Sequence, residues 1–160
     1  MPSWNTPSCR RPSSGCRPRI PEGRGSGSEG IELVVTNLNG KVVWRWSPKD
    51  SVSLPVDYVQ PPVVDNKGRV LVSTGRAVAA VSRGALVWEF LPPDGTSVRY
   101  LTAFSGGTAL VAAGKTLYAL SSNGKILWQV AFDETLSTPP VVDHKGTIYV
   151  AGPRFLYRVK

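Results

Sequence analysis

From Ile31 onward, short apolar runs alternate with polar, Gly-containing turns. The runs are four to eight residues long and rich in Val, Leu, Ile and Tyr, as in IELVVTNL, RVLVST, AVAAVS, ALVWEF and TIYVAG. Runs of that length and composition, bounded by Asn, Asp and Gly, predict β-strands joined by tight turns. No helical spacing of apolar residues is sustained, so the expected class is all-β.

The runs repeat. PPVVDNKGRVLVSTG (61–75) returns as TPPVVDHKGTIYVAG (138–152), with a weaker copy, LTAFSGGTALVAAG (101–114), between them. Gly68, Gly107 and Gly146 stand 39 residues apart. A second unit marks another phase of the same period: NGKVVW ends at Trp44, RGALVW at Trp88 and NGKILW at Trp128. A repeat of about 40 residues holding four short strands is the spacing of a β-propeller blade. One repeat reads as PPVV (61–64), RVLVST (69–74), AVAAVS (77–82) and ALVWEF (85–90). The first two join through Asp-Asn-Lys-Gly and the last two through Arg-Gly, where positive φ suits Gly and Asn. The register predicts a half blade at 31–46, whole blades at 61–90 and 99–130, and an incomplete blade at 139–160. Thirteen antiparallel strands make about three blades, an incomplete ring with open edges.

Residues 1–30 differ. Pro, Ser, Gly and Arg dominate, so this segment is expected to be a disordered tail. Cys9 and Cys16 both lie in it and cannot staple the repeats. Two thiols without His do not make a metal site, which needs about four ligands. The net charge of +8 is spread along the chain, with 14 basic and 9 acidic residues in 31–160. No cluster marks a nucleic-acid surface, so no nucleic-acid partner is expected. No apolar stretch is long enough for a membrane span, and no secretory leader is visible.

Tyr118-Ala119-Leu120-Ser121-Ser122-Asn123-Gly124-Lys125-Ile126-Leu127-Trp128 resembles the PQQ-type (quinoprotein-like) propeller repeat, and the likeness extends over 31–160. Ala80, Gly84 and Trp88 form a degenerate copy, and Val35, Gly40 and Trp44 a third. One departure is a shorter turn with no Thr before the Gly. The resemblance implies that Trp44, Trp88 and Trp128 dock against a neighbouring blade, near small residues such as Ala80 and Ala119 and the turns of Gly40, Gly84 and Gly124. A buried Trp contributes roughly 200 Å2 of contact, a large share of a blade's packing. The family includes quinone-dependent dehydrogenases, the propeller lipoprotein of the bacterial outer-membrane assembly machine, and envelope proteins that bind no quinone. A cell-envelope or periplasmic location follows from the resemblance alone.

Candidate chemistry is sparse. The dehydrogenases resemble eight-bladed proteins with adjacent cysteines, calcium ligands and a catalytic Asp, and this chain shows no such set. Asp65 and Asp143 occupy equivalent hairpins, which points to turn chemistry rather than a catalytic pair. His144 replaces Asn66 in the same turn and reads as an exposed turn residue. Ser105-Gly106-Gly107-Thr108 precedes no helix and is no phosphate cradle. No catalytic, cofactor-binding or metal residue is assigned, and no enzyme activity or cofactor is expected. Three readings follow. The chain is a scaffold for a protein or peptide partner, it is a fragment of a dehydrogenase-type propeller, or it is a truncated product without a function of its own. Self-association of two arcs would close a ring of about seven blades.

Overall fold

The computed structural model describes residues 32–48 and 60–160. The expectations for residues 1–30, including Cys9 and Cys16, lie outside the described residues. Among the described residues, thirteen strands form four antiparallel sheets. Sheet A pairs β1 (Leu33–Thr36) with β2 (Val42–Trp46). Sheet B is the meander β3 (Val63–Val64), β4 (Val70–Ser73), β5 (Val78–Ser82), β6 (Ala85–Phe90). Sheet C repeats it with β7 (Val98–Ala103), β8 (Ala109–Ala113), β9 (Thr116–Leu120) and β10 (Ile126–Ala131). Sheet D holds β11 (Val141–Val142), β12 (Ile148–Ala151) and β13 (Leu156–Val159). A 3-10 turn, Ser105–Gly107, joins β7 to β8.

Strands β3 and β11 are shorter than the PPVV runs that predict them. Pro61, Pro62, Pro139 and Pro140 carry no N–H, so ladder bonding starts only at the valines. Four of the nine hairpins among the described residues share one turn chemistry. The first side chain accepts the backbone N–H groups two and four residues on. Asn37 serves Asn39 and Lys41, Asp65 serves Lys67 and Arg69, Ser121 serves Asn123 and Lys125, and Asp143 serves Lys145 and Thr147. The Asp, Asn or Ser at that position thus shapes the turn.

The core lies between sheets, because strand alternation sends successive side chains to opposite neighbours. Val72, Ala79 and Val81 face sheet A with Leu33, Trp44 and Trp46. Leu71, Val78 and Ala80 face sheet C, where they meet Val98, Val111, Tyr118 and Leu120. Leu110, Ala112, Leu117 and Ala119 meet Leu136, Ile148 and Val150 toward sheet D. The middle strands β5, β8 and β9 are therefore buried on both faces, which their near-continuous Ala, Val and Leu composition requires. No apolar cluster among the described residues joins sheet A to sheet D, so the blades form an open arc.

Candidate functional site

The junction between sheets B and C concentrates the most specific contacts. Trp88 lies directly across the ladder from Ala80, whose small side chain leaves room for the indole. A β-bulge beside this pair, between Ala80 and Val81, turns the outer strand. The ring then reaches sheet C, where its Nε1–H donates to the Ser122 carbonyl at 3.0 Å. Gly124, at φ +76°, closes over the ring, and a Cβ there would stand 2.6 Å from Trp88 Cε3. Only glycine fits both that backbone and that approach.

The same Ser122 carbonyl accepts Arg69 Nη1 at 2.6 Å. Arg69 is buried, paired with Asp65 through Nε–Oδ2 at 2.6 Å, and stacked 6.0 Å from the Trp88 ring centre. Burial pushes the Asp65 carboxyl up. The Arg69 side-chain hydrogen bond, the N–H groups of Arg69 and Lys67 and the Arg69 charge outweigh it, so the pKa falls below the ordinary value. Lys67 Nζ also reaches Ser122 Oγ at 3.3 Å. One turn of sheet B is thereby tied to one turn of sheet C.

The other junctions vary this arrangement. Trp44 is half-buried against sheet B, and a Cβ on Gly84 would lie 3.5 Å from its Cβ and 3.1 Å from the Arg45 carbonyl. Trp128 lies across from Ala119 and points toward sheet D, but it remains 37% exposed and no glycine turn among the described residues covers it. It lines an apolar cleft of about 480 Å3 with Leu110, Leu127, Ile148 and Val159. A Cβ on Gly40 would meet nothing within 4 Å among the described residues. The structure thus brings together Trp88 with Gly124 and Ala80, and Trp44 with Gly84. Trp128 keeps only Ala119 of its expected companions, and Gly40 meets none of them.

A buried carboxylate at the C–D junction has no counterpart in the repeat pattern. Glu134 accepts the N–H groups of Phe155 (2.9 Å) and Arg154 (3.3 Å) and faces Arg154 Nε. A Cβ on Gly152 would overlap it. Burial raises the Glu134 pKa, and the Phe155 and Arg154 N–H groups lower it further than burial raises it. Asp143 is held below its ordinary pKa by the Thr147 N–H above all. His144 is exposed in its turn. Among the described residues no three His, Cys, Asp or Glu side chains converge as metal ligands, and no helix is long and apolar enough to cross a membrane. Arg69 and Glu134 escape sequence reasoning, because Thr147 stands where Arg69 would repeat and no motif surrounds Glu134.

Four-stranded meander sheets packed face to face, with a bulged outer Trp reaching the next sheet's turn, define a β-propeller repeat protein. The sequence profile of the family described as outer membrane protein assembly factor BamB, a PQQ-type repeat family, matches residues 75–159. That is more than half of the chain, which belongs to this family. No curated protein matches it in sequence. Among solved structures, BamB from Moraxella catarrhalis is 19% identical with a TM-score of 0.58, over 75% of this chain and 37% of that one. A protein of unknown function from Bacteroides caccae is 18% identical with a TM-score of 0.58, over 78% and 47%. Streptogramin B lyase is 11% identical with a TM-score of 0.60, over 82% and 48%. These likenesses concern the fold. The chain spans less than half the length of each structure.

Proposed function

We propose that the chain is a non-catalytic propeller scaffold of the bacterial cell envelope that binds a protein or peptide partner. One observation carries this reading: the buried charged side chains among the described residues are engaged in joining strands, turns and blades. Asp65 and Arg69 hold two turns together, and Glu134 holds the β12–β13 turn. None of these is left as a poised acid, base or nucleophile facing a cleft. Two clefts sit at blade junctions, one lined mainly by Leu, Val and Trp, the other by Trp46, Thr74, Arg76, Leu86 and Glu89. Membership of the BamB family supports an envelope setting and a protein partner. Photo-crosslinkers placed at the turns and outer strands of the chain in a bacterial host test the reading. The expected result is one discrete crosslinked partner and no spectral change on titration with PQQ. PQQ binding with dye-linked turnover would overturn it in favour of a quinoprotein fragment.

A further inference from the structure

The basic residues that look scattered in the sequence are sorted by topology. In a four-stranded meander, the first and third hairpin turns lie at one end of the sheet, and the second turn lies at the other. The contacts of Lys67, Arg69 and Gly107 with Ser122 or its neighbours align sheets B and C the same way round. The hairpin-turn end therefore gathers Lys41, Lys67, Arg83, Lys125 and Lys145, all exposed. The two carboxylates there among the described residues, Asp65 and Asp143, are already engaged by Arg69 and by backbone N–H groups, with Arg158 also acting on Asp143. The opposite end is balanced among the described residues, with Glu32, Glu89, Asp94, Asp133 and Glu134 set against Arg45, Arg76, Arg99, Lys115 and Arg154.

A second pattern coincides with the first. In three successive blades a turn cation lies close before an aliphatic pair at the start of the outer strand: Lys41 directly before Val42-Val43, Lys125 directly before Ile126-Leu127, and Arg83, two turn residues earlier, before Leu86-Val87. All six aliphatic residues are exposed, with Val43 at 60% and Leu127 at 57%. Charge beside apolar surface, repeated once per blade, fits a ligand that carries carboxylates and aliphatic side chains in alternation. A nucleic acid offers no aliphatic complement, and the three turns that carry Lys41, Arg83 and Lys125 hold no aromatic ring on which bases would stack. For the same reason they lack the Trp and Tyr typical of surfaces seated in a membrane interface.

We propose that the hairpin-turn end of the arc, where Lys41, Arg83 and Lys125 each precede an exposed aliphatic pair, docks an extended acidic and aliphatic segment of a partner protein. The proposal rests on the scaffold reading and names the chemistry of its partner. The test is fluorescence anisotropy of the full chain with a labelled peptide alternating Glu with Leu and Val. The triple variant Lys41→Gln/Arg83→Gln/Lys125→Gln is expected to bind about tenfold more weakly, while Arg76→Gln/Lys115→Gln at the other end stays within about twofold. Circular dichroism checks that both variants fold. In the wild type, hydrogen exchange is expected to slow in β2, β6 and β10 when the peptide binds, a readout independent of the variants. Equal loss in both variants, absence of binding, or displacement by single-stranded DNA or phosphatidylglycerol vesicles at equal charge would overturn the proposal. A crosslinked partner at other positions, together with any of those results, would leave the scaffold reading standing and remove only this face.

Discussion

Gly124 and Gly40 are chemically identical positions with different surroundings. Both hold positive φ at the end of an equivalent turn, but among the described residues only Gly124 faces an indole. Gly40→Ala is expected to cost about 1 kcal/mol, the left-handed backbone alone. Gly124→Ala adds the displacement of Trp88 and is expected to cost about 3 kcal/mol in urea denaturation. Equal costs would mean that the turn does not bear on the ring. Asp65 gives a second residue-scale expectation. Asp65→Asn leaves Arg69 buried without its counter-charge and is expected to cost about 3 kcal/mol near neutral pH. The folded pKa of Asp65 is depressed, so its contribution is complete above the unfolded value of 3.8 and is lost as pH falls through the lower folded value. Stability measured against pH should show the gap between wild type and variant constant from neutrality to about pH 5 and shrinking below about pH 4. A gap that persists undiminished in acid would exclude the ion pair as its source.

At the scale of the element, the hairpin that ends in Trp is the unit of construction. The bulge recurs beside Trp44, Trp88 and Trp128, so each outer strand turns its ring the same way. The rings nevertheless do unequal work. Trp88→Ala removes a half-buried ring, its hydrogen bond to Ser122 and its stacking on Arg69, and is expected to cost about 4 kcal/mol. Trp128→Ala, at a ring that no turn among the described residues covers, should cost less than about 2 kcal/mol. Chemical denaturation of the two variants side by side decides this, and equal losses would count against the assignment of the slot beside Trp128 as open. The hairpins and the Gly and Trp positions were legible in the sequence because they recur every 39 to 44 residues. The Arg69 clamp was not. Its partners lie 4 and 53 residues away, and the homologous position holds Thr147, so neither spacing nor repetition exposes it. Glu134 was hidden for a related reason: its ligands are backbone N–H groups 20 and 21 residues on, which leave no mark on residue type.

At the scale of the molecule, the linear order of charges concealed their spatial order. Lys41, Lys67 and Arg83 alternate along the chain with residues of the opposite end, and the meander separates them. The backbone joints repeat as strictly as the turns: Val98 N–H donates to Gly75 C=O, and Leu136 N–H donates to Gly114 C=O one blade later. At the B–C junction the fastening is double, by peptide groups at one end and by Trp, Arg and Ser at the other. Stability in such an array is a sum of blade and neighbour terms, and sheet B, flanked on both sides, should be among the last to open.

Among the described residues no turn covers the Trp128 ring and nothing meets the Gly40 turn, and this has a directional consequence. The Trp88 ring reaches forward to the turn of the following blade and the Trp44 Cβ lies against the Gly84 turn, so among the described residues the arc resembles a hook-and-eye fastening with an open hook in sheet C and an open eye in sheet A. Like ends have nothing to offer each other. A pair in which the same patch meets itself would leave both features unused. Two copies could use them only by joining in two places at once, each hook in the other's eye, which closes a ring. Whatever engages this fastening, from this chain or another, has to meet it head to tail.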